Sequence, residues 1–155
     1  MSTPGRFRVA ISIAVSLLTA ACSEAVSPEA EVRAVIVAAE EAAEARSVRD
    51  LMALAAPGFA GPDGTSVDEL ERYLRGYFIA NQSVRLLTRV THLEVLAADV
   101  AEAEVTVAAV GKDAEATAAW DLAFDVYDFA LDLRRIDGEW KVIHADWRRP
   151  GVIGR

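Results

Sequence analysis

The stretch Arg134-Arg135-Ile136-Asp137-Gly138-Glu139-Trp140-Lys141-Val142-Ile143-His144-Ala145-Asp146-Trp147-Arg148-Arg149 decides how this chain folds. Asp137-Gly138 is a strong two-residue hairpin signal, since such a turn needs positive φ and glycine supplies it without steric cost. Downstream, Glu139 to Trp147 reads as a closing strand. Upstream, an alternating run reaches back from Ile136 to Ala116. In its first part Trp120, Leu122, Phe124 and Val126 alternate with Asp121 and Asp125; in its second, Tyr127, Phe129, Leu131 and Leu133 face Asp128, Asp132 and Arg134. A one-residue slip in such a pattern is what a β-bulge produces, and bulges bend strands.

Working further back, Val100 to Val110 alternates Ala101, Ala103, Val105, Val107 and Ala109 against Glu102, Glu104 and Thr106, so it reads as another strand. Val84 to Leu96 is a third. Before Asn81 the period changes to 3.6. Ser66 and Glu69 form a capping-box pair ahead of a helix whose stripe is Leu70, Tyr73, Leu74, Tyr77 and Phe78. The segment from Gly58 to Ser66 reads as a loop by composition. Ser47 and Asp50 open a short helix that Pro57 and Gly58 end. Ser27, Pro28 and Glu29 open the first helix, with Val32, Val35, Ile36, Ala39 and Ala43 on one face and Arg33, Glu40 and Glu44 turned elsewhere.

Helices followed by a bent antiparallel meander that ends in this hairpin resemble the nuclear-transport-factor-2-like superfamily. The likeness covers Glu29 to Arg149, and its most specific piece is Asp137, Gly138, Trp140, Val142, Ala145, Trp147 and Arg148. It implies an α+β fold: a cone-like, strongly curved antiparallel sheet packed on the N-terminal helices. It implies nothing definite about function, since that fold carries isomerases, dehydratases, cyclases, hydrolases and modules without activity.

The start of the chain carries a separate message. Arg6 and Arg8 precede Val9 to Ala21, thirteen residues without a charge. That is the layout of a secretory signal, and it is shorter than the roughly 20 residues needed to span a bilayer. Leu18-Thr19-Ala20-Ala21-Cys22 resembles the bacterial lipoprotein cleavage box, with Thr19 where an aliphatic residue is usual. The resemblance implies cutting before Cys22 and attaching lipid to it. Cys22 is the single cysteine, so it has no disulfide partner within the chain, and lipidation removes an exposed thiol. The expected organisation is a signal peptide at 1–21, a short lipidated tether at 22–28, one domain at 29–149 and a tail at 150–155. The location expected is the cell envelope, lipid-anchored to the outer or inner membrane and facing the periplasm.

Cleavage removes two arginines and no acid, so the formal charge of −8 becomes more negative still. That balance argues against nucleic acid, whose phosphates demand Lys and Arg clusters. A hydrophobic content of 53% argues against general disorder. Two distant histidines and one cysteine make no metal-ligand spacing, and no phosphate-binding loop or nucleophile elbow is present. No cofactor is expected.

A cone of this kind offers an apolar pocket with a few polar groups inside it. The residues with the chemistry for proton transfer are His92, Asp121, Asp125, Tyr127, His144 and Asp146. His144 and Asp146 share strand parity with Trp140 and Val142, so one face presents both, and a carboxylate beside an imidazole orients a general base. They are the candidate catalytic pair. Asp121 and Asp125 alternate with apolar residues and read as solvent-facing. Tyr73, Tyr77 and Tyr127 lie on apolar stripes and read as core. Three functions stay open. One is a membrane-anchored module that binds a small apolar ligand or an envelope protein. Another is a small isomerase, dehydratase or cyclase, and the third a structural subunit that forms a homodimer through its sheet.

Overall fold

A computed structural model describes residues 26–109 and 125–150. Residues 1–25, with the expected signal segment and Cys22, the stretch 110–124 with Trp120, Asp121, Leu122 and Phe124, and the tail from 151 lie outside the described residues. The chain runs through α1 (Pro28–Glu44), α2 (Val48–Leu54), β1 (Ala55–Ala60), a 3-10 turn (Pro62–Gly64), α3 (Val67–Ala80), β2 (Leu86–Ala97), β3 (Val100–Ala109), β4 (Asp125–Ile136) and β5 (Glu139–Arg148). The five strands form one sheet in the order β1-β5-β4-β3-β2. The fold is α+β, with the helices on one side of a mainly antiparallel sheet.

The hairpin sets the sheet. Asp137 and Gly138 take φ of 52° and 85°, and Ile136 pairs with Glu139 across them. Positive φ at both central residues gives a turn whose twist matches the flanking strands. The helix starts follow their caps. Ser27 Oγ accepts from the Ala30 N–H at 3.2 Å, and Ser47 Oγ from that of Asp50 at 3.2 Å. Ser66 and Glu69 close both halves of a capping box. The turn after α1 uses Arg46 at φ 55°, and its Nη1 donates to the Phe78 carbonyl at 3.3 Å. That bond ties the last turn of α3 to the α1–α2 corner.

The core lies where α1 meets the sheet. Val32 and Ile36 pack with Ala101, Ala103, Val105, Leu133 and Trp140. Val32 and Leu133 are fully buried, and each such side chain contributes about 1.5–3 kcal/mol of transfer free energy. A polar clasp sits at the edge of this core. The Glu31 carboxylate accepts from Trp140 Nε1 at 3.0 Å and pairs with Arg135, whose guanidinium lies 4.9 Å from the centre of the Trp140 ring. The Trp140 N–H above all, then Arg135, holds the Glu31 pKa below its ordinary value.

Three features differ from the sequence reading. Ala55–Ala60 is a strand, parallel to β5, where the sequence reads the end of a helix and the start of a loop. Pro57 and Gly58 are strand-poor residues, but β1 is an edge strand, where a missing N–H donor is tolerated. The β3–β4 ladder runs without interruption from Val100–Arg134 to Ala109–Asp125, so the described part of β4 has no slip at Tyr127. Asp125 therefore shares a face with Tyr127, Phe129 and Leu131. Register shifts fall in β2 and β5 instead, and in β5 Leu133 pairs with Val142 and Asp132 with His144, leaving Ile143 as the extra residue. A bulge reverses the inward set. Trp140 and Val142 face the helices before it, and Ala145 and Trp147 after it. His144 and Asp146 are thereby on the opposite face from Trp140 and Val142, against their expected shared parity.

Candidate functional site

Between sheet and helices lies a cavity of about 370 Å³. Its walls come from every layer. Ile36, Ala39 and Ala43 of α1, Leu51 and Met52 of α2, and Leu70 and Leu74 of α3 face Val105, Val107, Phe129, Leu131 and Trp147 of the sheet. The helical spacing of α1 and α3 and the alternation of β3 and β4 aim these apolar side chains at one volume. Phe129 lies between Tyr127 and Trp147, with ring centroids 6.5 and 6.1 Å away, so an aromatic row floors one end.

The polar lining is sparse: Glu40, Thr88, Asp125 and the phenols of Tyr73, Tyr77 and Tyr127, with the Trp147 indole. Asp125 and Tyr127 are two residues apart on β4, which puts both on its inner face. Arg149, just past β5, engages both. Its Nη2 lies 2.8 Å from Asp125 Oδ1, its Nε donates to Tyr127 Oη at 3.2 Å, and its guanidinium stands over the Tyr127 ring. The Tyr127 hydroxyl is thus satisfied locally, as the sequence suggests, but Asp125 reaches the cavity instead of turning wholly to solvent. Tyr73 and Tyr77 stack at 6.3 Å on α3 and are exposed, against their reading as core, because α3 meets the cavity and not a packed wall there. The Tyr77 phenol is pushed above its ordinary pKa, first by burial and then by Tyr73, Asp125 and Tyr127.

The histidines lie elsewhere. His144 Nδ1 is 3.5 Å from Asp132 Oδ2, its cross-strand neighbour on the outer face of the sheet. The carboxylate facing this imidazole is therefore Asp132, and not Asp146. Asp146 lines a separate outer hollow of about 340 Å³ with Thr91, Glu104, Thr106, Asp128 and Arg148. His92 Nε2 lies 3.7 Å from Glu94 Oε2, both exposed. None of His92, His144 and Asp146 is among the residues that line the cavity under the helices. Cys22 and Asp121 lie outside the described residues.

Thr88 is not singled out by the sequence, and Glu40, read from the pattern of α1 as turned away from its apolar face, lines the cavity instead. Glu40 sits beside Ala39 on α1, and the i, i+4 spacing from Ile36 was the available signal. Thr88 precedes Val90 with strand parity, which is a weak signal because threonine suits either face of a sheet.

No protein-family model and no curated protein sequence matches the chain. Solved structures do. One is a nuclear-transport-factor-2-like protein of unknown function from Pseudomonas putida, 19% identical, covering 81% of this chain and 88% of its own at a TM-score of 0.62. Another is a domain of unknown function with a cystatin-like fold from Nostoc punctiforme, at 16% identity, 79% and 76% coverage and 0.62. A third is a ketosteroid isomerase-like protein from Erwinia carotovora atroseptica, at 15% identity, 79% and 96% coverage and 0.59. Likenesses at such identities speak for architecture and leave activity aside. With helices on one side of a five-stranded sheet and a cavity between them, this chain is an α+β domain of the nuclear-transport-factor-2-like, cystatin-like fold.

Proposed function

We propose that this protein is a lipid-anchored envelope module that holds a small apolar ligand between its sheet and its helices. The observation that carries the binding part is the cavity of about 370 Å³, whose walls are almost wholly apolar. That volume lies within the range of about 300–1,000 Å³ usual for small-molecule sites, where a few polar groups set orientation. The anchoring part draws on the apolar run that ends at Cys22. With α1 starting at Pro28, few residues separate the lipid from the domain, which keeps the cavity close to the membrane surface.

One observation favours a second reading, a small isomerase, dehydratase or cyclase. Asp125 and Tyr127 converge on the cavity, and proton transfer needs at least two such groups. Arg149 occupies both of them, so binding is the preferred account.

The test is calorimetric titration of the full chain carrying Cys22→Ser with a series of neutral straight-chain alcohols, beside an Ala39→Trp variant that fills the cavity from α1. Binding with a negative heat-capacity change is expected for the first protein, and its loss without loss of the folded circular dichroism signal for the second. Equal binding by both proteins would place the ligand elsewhere.

A further inference from the structure

The charge on the described lining of the cavity has one sign. Its described lining includes two carboxylates, Glu40 and Asp125, and no Lys, Arg or His. Asp125 is matched from outside by Arg149, at 2.8 Å. Glu40 is half-buried on the cavity side of α1 and makes no hydrogen bond or ion pair among the described residues. A carboxylate on an apolar wall is disfavoured unless something compensates it. The same cavity carries the stacked rings of Tyr73 and Tyr77, which are 63% and 36% exposed and so accessible to a ligand. Aromatic faces attract cations through their quadrupole.

We propose that the cavity selects amphiphiles with a cationic head, an amine or quaternary ammonium group on an apolar body. The selection rests on the ligand-binding reading above and deepens it. An anionic head has two places to go, and both are unfavourable. It faces Glu40 directly, or it draws Arg149 away and leaves Asp125 unpaired. A cationic head leaves the Asp125–Arg149 pair intact, gains Glu40 as its counter-ion and lies against tyrosine faces. A neutral head loses the Coulomb contribution and keeps the apolar one.

Three probes of one chain length separate these cases: decyltrimethylammonium, decanol and decanoate, each below its micelle concentration, titrated into the full chain carrying Cys22→Ser. Decyltrimethylammonium should bind at least about tenfold tighter than decanoate, with decanol between them. Glu40→Gln should erase most of that preference and leave decanol affinity unchanged. Glu41→Gln, which neutralises an exposed carboxylate on the same helix, controls for the overall acidity of the chain and should leave the preference in place. Decanoate binding as tightly as the cation overturns the proposal while the ligand-binding reading stands, and so does an equal effect of Glu41→Gln and Glu40→Gln. Failure of all three probes, decanol included, overturns both.

Discussion

The same chemical change, a glycine made alanine, should have opposite signs at two places in this protein. Gly138 is the second residue of the β4–β5 turn at φ 85°, and a Cβ added there meets nothing within 4 Å. Its cost is therefore backbone strain alone, with no clash to relieve. A left-handed conformation costs an L-residue roughly 1–2 kcal/mol, and a β-branched side chain moves the figure toward the ~3 kcal/mol upper end for such sites. Gly76 lies inside α3, exposed, and an added Cβ there also meets nothing. Alanine there removes unfolded-state freedom and should stabilise by about 0.5–1 kcal/mol. Urea unfolding followed by tryptophan fluorescence measures both. At a slope of about 2 kcal/mol/M, Gly138→Ala should lower the midpoint by roughly 0.5–1 M and Gly76→Ala should raise it by about half that. Gly138→Val should fall below Gly138→Ala. If Gly138→Ala unfolds at or above the parent midpoint, the turn is not one that requires positive φ, and the register built on it is wrong.

Leu133→Ala empties the centre of the core and should destabilise by about 2–5 kcal/mol, read from the same unfolding curves. Glu31 has its pKa lowered, so its contribution is complete above the ordinary carboxylate value of 4.5 and is lost as pH falls through the lowered value. Glu31→Gln should therefore flatten part of the acid limb of the stability profile below that pH. A remainder should persist, because Glu69 and Glu139 are lowered as well, by Ser66 and Lys141 respectively. Cys22→Ser should abolish incorporation of labelled palmitate in bacteria, and parent protein that takes up no label would refute the anchor.

Local chemistry made much of this fold legible. The Asp137-Gly138 turn, the Ser66–Glu69 box and the Ser27-Pro28 start each act through bonds within a few residues, and each is where the sequence places it. Non-local choices were not legible. β1 exists because the edge of β5 was available to Ala55–Ala60, and no propensity of Pro57 or Gly58 announces that. The reversal at Ile143 depends on how β5 meets β4, so the face of His144 was set by pairing and not by parity. For Asp125 the alternation before it and the alternation after it disagree, and only the β3 ladder decides between them. The stripe on α3 has the spacing of a core face, but a sequence cannot say whether such a stripe meets a wall or a void, and Tyr73 and Tyr77 are exposed. Tyr73 and Tyr77 border a void.

The clasp between Glu31, Arg135 and Trp140 has a mechanical side. Glu31 lies within the first turn of α1, four residues past the Ser27 cap. Tension on the chain ahead of Ser27 enters α1 and passes almost at once through Glu31 into the β4–β5 hairpin. Little of the helix carries load before the sheet does. The rest of α1, and with it the wall holding Ile36, Ala39 and Glu40, lies downstream of that grip and is shielded from the pull. A tug at the N-terminal end is thus borne by the strands closest to the hairpin turn, and the shape of the cavity is spared.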